Sequence, residues 1–274
     1  MSRNQGRVPA HAATVEAQPQ QTQQIQQVNS PFDFIVATEV VDLPSRGEYY
    51  PEGHPLHGIA HIEIKHMTAK EEDILTSSSL LKKGIAIDKM LQSVIVDKNI
   101  KIDDLLLGDK NALLVMSRVY GYGPDYQAQA ICPHCGTSSE YNFNLKELNH
   151  KQETLPTAVE KTENNTFSMT LPKSGMEIEY RLLTSRDEKE ISKTTGGSLE
   201  LLKKIIVSIN NQHDKMYIQQ ALNSLPILDT SLLKRAYLAT MPDVDMTQKV
   251  ECPACGEEAE MGVPLDANFF WPNL

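Results

Sequence analysis

The chain has 274 residues, 40% of them hydrophobic, which is enough to bury one large core or two small ones. Its 36 acidic and 26 basic residues give a net charge of -10, which argues against nucleic acid as a partner because that binding depends on Lys and Arg neutralising phosphates. No stretch reaches the roughly 18 apolar residues of a membrane span, and the N-terminus lacks the apolar core of a secretory signal. We therefore expect a cytoplasmic protein that binds no membrane.

The N-terminal segment, residues 1–30, is poor in apolar side chains and rich in Gln, Ala and Thr. Such a composition buries too little surface to offset the entropy of ordering, so we predict a disordered arm. A strand is predicted at residues 34–36. The turn Leu43–Gly47 follows, in which Pro and Gly supply the dihedral angles.

Two stretches then repeat one pattern, an alternating strand that enters a helix: residues 61–74 and residues 177–191. Thr68 and Thr184 stand at the predicted N-cap positions. Glu71 and Asp187 follow three residues later, where an acidic side chain completes a capping box. The two stretches therefore predict two copies of one unit.

The similarity continues along the chain, with Leu80–Lys83 matched to Leu201–Lys204 on an amphipathic helix. A second helix is predicted to start at Asp109 in the first copy and at Asp229 or Thr230 in the second. Each copy ends in a strand, a Cys-Pro-x-Cys-Gly turn and another strand.

The predicted fold is α+β, built from an internally duplicated unit of strand, two helices and zinc-knuckle hairpin. Its segments are the arm at 1–30, a first repeat at 31–149, a linker at 150–165 and a second repeat at 166–274.

The four cysteines form two C-x-x-C pairs, Cys132 with Cys135 and Cys252 with Cys255. Two residues between thiolates let both sulfurs face one ion, and the Gly after the second Cys permits a positive φ so that backbone N–H groups can point at sulfur. The pairs lie about 120 residues apart. We predict that a pseudo-twofold relation between the copies joins them in one structural, four-coordinate Zn²⁺ site.

Other interpretations of the cysteines stay open. They include a redox or disulfide role and two unrelated pairs, although a redox C-x-x-C usually opens a helix, whereas here Gly and a strand follow. Catalytic zinc is disfavoured because four thiolates leave no open coordination position. His134 occupies the variable position of the first turn, where Ala254 stands in the second, and we expect it to be exposed.

Further motifs that would carry chemistry are weak. The histidines between His54 and His66 cross a turn and a strand rather than one helix face, which favours a solvated loop over a second metal site. No nucleophile elbow, P-loop or H-E-x-x-H motif is present. We predict no catalytic or cofactor-binding residues, and a protein that is not an enzyme.

The chain resembles the T4-type bacteriophage baseplate hub family in three features: the turn from Leu43 to Pro51, the strand that leads to the helix start Met67–Leu75, and the two Cys-Pro-x-Cys-Gly knuckles. The resemblance extends from about Phe32 to the C-terminus and leaves the Gln-rich arm unmatched. It implies a non-enzymatic late protein, located in the virion tail baseplate or in the infected host cytoplasm during assembly. Its implied partners are other hub or tail proteins.

A second function class remains open, a zinc-ribbon adaptor in transcription or RNA metabolism. That class predicts basic, aromatic ribbon surfaces, whereas Glu257-Glu258-Ala259-Glu260 follows the second knuckle.

The last residues concentrate three aromatic side chains, Phe269, Phe270 and Trp271. They either pack onto the chain's own core or anchor the tail in a pocket of another hub component.

Overall fold

The computed structural model describes residues 36–151, 155–194, 197–265 and 269–270. The predicted arm at 1–30 and Trp271 lie outside the described residues, as do Phe34 and Ile35 of the predicted first strand.

The fold is α+β, as predicted. The first half consists of β1 Thr38–Asp42, β2 His61–Lys65, α1 Ala69–Thr76, α2 Ser78–Lys82, α3 Ala86–Val94, α4 Leu107–Tyr122, β3 Asp125–Ile131 and β4 Ser138–Asn144. The second half consists of β5 Val159–Lys161, β6 Phe167–Thr170, β7 Glu177–Tyr180, α5 Ser185–Ser192, α6 Ser198–Ile205, β8 Ile206–Ile209, α7 Lys215–Ser224, α8 Ile227–Thr240, β9 Thr247–Glu251 and β10 Glu258–Gly262.

The described sheets are small and antiparallel. β1 pairs with β2, and Ile95, directly after α3, bridges to Ile64 of β2. In the second half β5, β6, β7 and β8 pair in that order. β5 lies inside residues 150–165, so the stretch predicted as a linker contributes a strand to the second sheet.

Both predicted capping boxes are present. Thr68 precedes α1 and exchanges hydrogen bonds with Glu71, and Thr184 precedes α5 and does the same with Asp187. Each Thr satisfies a backbone N–H that the helix leaves without an internal partner, and each carboxylate satisfies the N–H of the cap residue. Local sequence therefore sets where these two helices begin.

The longer helices start earlier than predicted. α4 begins at Leu107 and α8 at Ile227, with Leu106 and Pro226 as N-caps, so the prediction that Asp109 and Asp229 or Thr230 cap them is wrong. Each aspartate is the third residue of its helix and is fully buried.

Each buried aspartate binds a turn from another part of its own half. Asp109 accepts hydrogen bonds from the Ser45 amide at 2.9 Å and from the Ser45 and Tyr50 hydroxyls at 2.6 and 2.7 Å. Asp229 accepts the amides of Lys173 and Ser174 at 3.0 and 2.8 Å. These carboxylates fix a turn onto a helix start, which a capping residue does not do.

The predicted match of Leu80–Lys83 with Leu201–Lys204 does not follow the element order. α6 runs directly into β8, which pairs with β7. In the first half the helix that runs directly into a partner of β2 is α3, not α2.

The halves share one continuous core and meet along α4. Its Gly108 lies so close to Pro242 that an added Cβ would stand 1.8 Å from the Pro242 carbonyl oxygen. Nearby, His150 bridges to Val244, with Lys151 N donating to Asp243 O at 2.8 Å. These contacts hold the β3–β4 and β9–β10 hairpins side by side.

Candidate metal centre

Each cysteine pair lies at the tip of a hairpin, as predicted. β3 pairs with β4 and β9 with β10. The strand ends agree to within one residue with those predicted from the sequence, which are 126–131, 139–144, 247–251 and 258–263. In the first hairpin the inward positions alternate with exposed polar residues and are buried: Tyr126, Ala128, Tyr141 and Phe143. This alternation fixes which face of the hairpin meets the core and so aims the tip.

The two tips have the same backbone geometry. Gly136 N donates to Cys132 O at 2.9 Å and Gly256 N to Cys252 O at 2.8 Å. Gly136 and Gly256 have φ of 70° and 73°, a region that favours Gly, and open space surrounds the place where a Cβ would stand. Conformation therefore accounts for the glycine at this position of both turns.

The four sulfurs converge across the halves. The Sγ atoms of Cys132 and Cys255 lie 4.0 Å apart, and those of Cys135 and Cys252 lie 3.9 Å apart. All four lie within 4.8 Å of one another. A tetrahedral ion with metal–sulfur bonds of about 2.3 Å separates its sulfurs by about 3.8 Å. The donor set can therefore hold a metal ion of that size.

Burial differs within each pair. Cys132 and Cys252 are buried, whereas Cys135 and Cys255 are exposed, and all four are free thiols. The quoted separations are far longer than the S–S bond of about 2.05 Å in a disulfide.

Sequence reasoning missed one residue of this site, Tyr141. Its hydroxyl donates to Cys252 Sγ at 3.3 Å, although Tyr141 belongs to the first half and Cys252 to the second. This hydrogen bond, helped by the backbone amides of Cys255 and Ala254, lowers the pKa of Cys252 to about 6. No sequence signal could have found it, because it depends on how the two hairpins pack.

Each sulfur of the cluster affects the ionisation of its neighbours. The Glu257 amide lowers the pKa of Cys255, but desolvation and the neighbouring sulfurs outweigh it and raise that pKa to about 12. Hydrogen bonds from Thr137 lower the pKa of Cys135. Four thiolates this close repel one another unless a cation neutralises them, and a divalent metal supplies that charge.

The histidines considered from sequence do not join the cluster. His134 is exposed at the tip of the first turn, as predicted. His54 stacks on Tyr50 with ring centroids 4.4 Å apart, and His66 stacks on Tyr120 at 5.4 Å. Within the described ranges, the four cysteines form the one cluster of potential ligands close enough for a shared ion.

Two of the C-terminal aromatic residues are buried, and one of them contacts the first hairpin. Phe269 and Phe270 are both 2% exposed, and the Phe269 ring meets that of Tyr126 edge-on at 5.2 Å. These contacts favour packing onto the chain's own core for these two residues.

The family model described as "T4 bacteriophage base plate protein" matches residues 36–271, nearly all of the chain after the predicted arm. The chain belongs to this family. Its members are baseplate proteins, so the family supports a structural phage component that interacts with other tail proteins. Searches of the curated proteins and of the solved structures gave no significant match.

None of the helices in the described part of this baseplate protein has the length and apolar character to cross a bilayer.

Proposed function

We propose that this chain is a non-enzymatic structural or assembly subunit of the baseplate hub in a contractile phage tail, held together by one structural zinc ion. The family match over residues 36–271 supports the baseplate role. Four free cysteines converge from two hairpins that are far apart in the sequence, which supports a bound metal ion. Its ligands would be Cys132, Cys135, Cys252 and Cys255.

Zinc suits this donor set better than other common ions do. Thiolate sulfur is a soft ligand that hard cations such as Mg²⁺ and Ca²⁺ avoid, and a tetrahedral four-sulfur shell is typical of structural zinc. Iron–sulfur clusters also use four cysteines, but they are larger than a single ion. The separations of 3.9 and 4.0 Å match the edge of a tetrahedron around one ion.

The zinc would act as a crosslink between halves. It would join residues about 120 positions apart. The unfolded chain rarely brings such distant residues together, so the ion binds the folded chain and its binding free energy adds to the free energy of folding.

We also infer that the halves arose by duplication, and matched contacts support this. Lys65 pairs with Glu71 at 3.2 Å as Arg181 pairs with Asp187 at 2.8 Å. The turns 43–47 and 171–175 both read Leu-Pro-x-x-Gly, and each is bound by an aspartate three residues into the following long helix of its half.

Docking of the C-terminal tail, with Phe269, Phe270 and Trp271 as a possible anchor in another hub component, remains a proposal. The burial of Phe269 and Phe270 supports self-packing for these two side chains as the alternative.

The baseplate role can be tested by tagging the chain in a phage that lacks its own copy and purifying it from infected cells. We expect other baseplate and tail proteins to co-purify. Co-purification with RNA polymerase or ribosomes instead would contradict the proposal and support the adaptor alternative.

A matched pair of variants separates the zinc from other surfaces in the same experiment. Cys252→Ser removes a ligand, and we expect it to lower both the zinc content and the yield of the tail complex. His134→Ala changes an exposed side chain of the other turn and should leave both unchanged. Normal zinc content and assembly in Cys252→Ser would refute the zinc crosslink.

A further inference from the structure

One contact between the halves involves backbone pairing outside the named strands. Leu107 N donates to Leu183 O at 3.2 Å, and Ser185 N donates to Leu105 O at 2.8 Å. Leu106 and Thr184 thereby form an antiparallel bridge. The first half contributes the edge before α4, Leu105–Leu107, and the second half the corner before α5, Leu183–Ser185.

The first half also contains a corner of this kind, and the second half also contains an edge. Met67–Ala69 precedes α1 and contains the capping Thr68, just as the corner precedes α5, and we name it the free corner. Leu225–Ile227 precedes α8 just as the edge precedes α4, and we name it the free edge.

The contact is not reciprocated within the chain. A two-fold relation between the halves would bring the free corner against the free edge, yet among the described residues no backbone hydrogen bond joins them, and Ile227 is 84% exposed. The predicted pseudo-twofold therefore does not extend from the cysteine turns to the bodies of the halves. A contact of this head-to-tail kind leaves two complementary surfaces unused.

Burial at equivalent positions reflects this difference. Leu106 is 6% exposed and Gly108 is buried, whereas Pro226 is exposed and Leu228 is 45% exposed. Ser185 is fully buried in the used corner, whereas Ala69 is exposed in the free one.

The backbone groups needed for the same pairing are available. Ile227 N–H and Ala69 N–H are the first amides of their helices, which have no partner inside the helix. Among the described residues neither amide, nor the carbonyls of Leu225 and Met67, has a backbone hydrogen bond.

Proline at position 226 is compatible with this pairing. Its counterpart Leu106 donates its own N–H to the Tyr50 hydroxyl at 3.1 Å and not to the corner. The bridge uses only the residues on either side, so a residue without an N–H can occupy this place.

We propose that the free edge of one chain, Leu225–Ile227, binds the free corner of a second copy, Met67–Ala69, in a head-to-tail contact. A second copy is the occupant because each chain carries both complementary surfaces and already forms the same contact once internally. Repetition of such a contact builds a ring if the rotation closes and an open chain if it does not.

The contact between copies should be weaker than the internal one. Lys110 pairs with Glu188 and Arg186 with Asp104 around the internal contact, at 2.9 and 2.6 Å. The equivalents of Lys110 and Asp104 near the free edge are Thr230 and Ser224, which are uncharged. We therefore expect association that depends on protein concentration.

Sedimentation velocity of the full, zinc-loaded chain over a range of concentrations tests the proposal. The parent should gain mass as its concentration rises. Ile227→Asp places a charge at the free edge and should remain monomeric. Ala69→Pro removes one N–H from the free corner and should also remain monomeric, whereas Ala69→Ser keeps the amide and should associate.

These variants should fold. Ile227 is exposed, and proline is favoured at the first position of a helix. Thr68, which precedes the Ala69→Pro substitution, has φ of -119° and ψ of 177°, the extended conformation that a residue before proline adopts. Circular dichroism and thermal melts should match the parent, and if Ile227→Asp unfolds, Leu228→Glu replaces it.

A mixture of the two variants distinguishes the edge from the corner. Ile227→Asp retains a working corner and Ala69→Pro retains a working edge, so the two together should form a 1:1 dimer and nothing larger. A parent that stays monomeric at every concentration, folded variants that still associate, or a mixture that forms no dimer would each overturn the proposal.

Discussion

Tyr141 is the residue that ties the cysteine cluster to the packing of the hairpins. It donates from the first half to a sulfur of the second, and such outer hydrogen bonds orient a metal ligand and adjust its basicity. Met261 stands at the corresponding position of the second hairpin, so the support comes from one side only.

We expect Tyr141→Phe to weaken zinc affinity roughly 10- to 100-fold, since outer-shell variants of metal sites typically lose that much. Competition with a chromophoric chelator measures it. Tyr180→Phe makes the same chemical change at a buried tyrosine whose hydroxyl lies 3.3 Å from Thr240, and it should leave the affinity unchanged. Equal affinities in both variants would show that the Tyr141 hydroxyl does not support the ligand.

Asp109 is the second residue that controls long-range structure. Burial raises the pKa of its carboxyl, while hydrogen bonds from Ser45 and Tyr50 oppose that rise. It links the start of α4 to the turn at Leu43–Gly47.

Replacement of Asp109 by Ala should lower the free energy of unfolding by roughly 3 kcal/mol or more, because it leaves buried donors of Ser45 and Tyr50 unsatisfied. Urea denaturation measures this value. Asp42→Ala, at an exposed position of β1, should change it by no more than about 0.5 kcal/mol. A loss below about 1 kcal/mol in Asp109→Ala would mean that the turn is held by other contacts.

For single residues, the sequence predicts the features that depend only on neighbouring positions in the chain. The spacing of the cysteines and the glycine after them follows from the geometry of one turn, so the candidate ligands could be identified without a structure. Asp109 was interpreted as a cap because Asp near a helix start usually is one. Its true partners lie 64 and 59 positions away in the sequence, and a local pattern cannot reveal them.

At the scale of elements, the capping boxes determine where α1 and α5 begin. The first box is also a buried charge site. Burial raises the pKa of Glu71, but hydrogen bonds from Ser93, Thr68 and Lys65 outweigh it and lower that pKa to about 2.

A carboxyl whose pKa is lower in the folded state stabilises the protein above its unfolded pKa and loses that contribution as the pH falls through the folded value. Glu71 should therefore contribute fully above pH 4.5, its ordinary value, and progressively less toward pH 2. Glu71→Gln should be less stable at neutral pH and show a shallower acid slope in this window. Denaturation midpoints between pH 6 and pH 2 measure it, and an unchanged slope would contradict the assignment.

The close approach of α4 to the second half depends on Gly108. Gly108→Ala would place a Cβ 1.8 Å from the Pro242 carbonyl oxygen, and backbone cannot move aside cheaply. We expect a loss of at least about 1–3 kcal/mol. Gly262→Ala is the control, since Gly262 is exposed at the end of β10 and the nearest atom to its Cβ position, the Met246 carbonyl oxygen, lies 4.0 Å away. Equal stability of the two variants in thermal melts would show that α4 is free to shift.

The sequence predicted the element types better than their correspondence. The two capping boxes and the two hairpins depend on a few neighbouring residues and agree with the prediction, whereas the caps predicted for the two long helices are wrong. The match between Leu80–Lys83 and Leu201–Lys204 followed a similarity in residue type. The structure instead relates α6 to α3, because both run directly into a partner of the central strand, a relation that only sheet pairing reveals.

In the whole molecule, the two halves share one core and one cluster of four cysteines. The prediction of an α+β fold followed from the order of strands and helices. The unreciprocated contact before α4 was not predictable, since the sequence repeats both surfaces and does not indicate which of them is used. Ile227 at 84% exposure is the structural sign that one remains unused.

The zinc content of the full chain, purified without added chelator, shows whether the two halves share one metal ion. Native mass spectrometry together with elemental analysis should give one zinc ion per chain, because the four thiolates complete a single tetrahedral shell. Two metal ions per chain, or none in a folded chain with all four thiols reduced, would contradict a single site shared by the two halves.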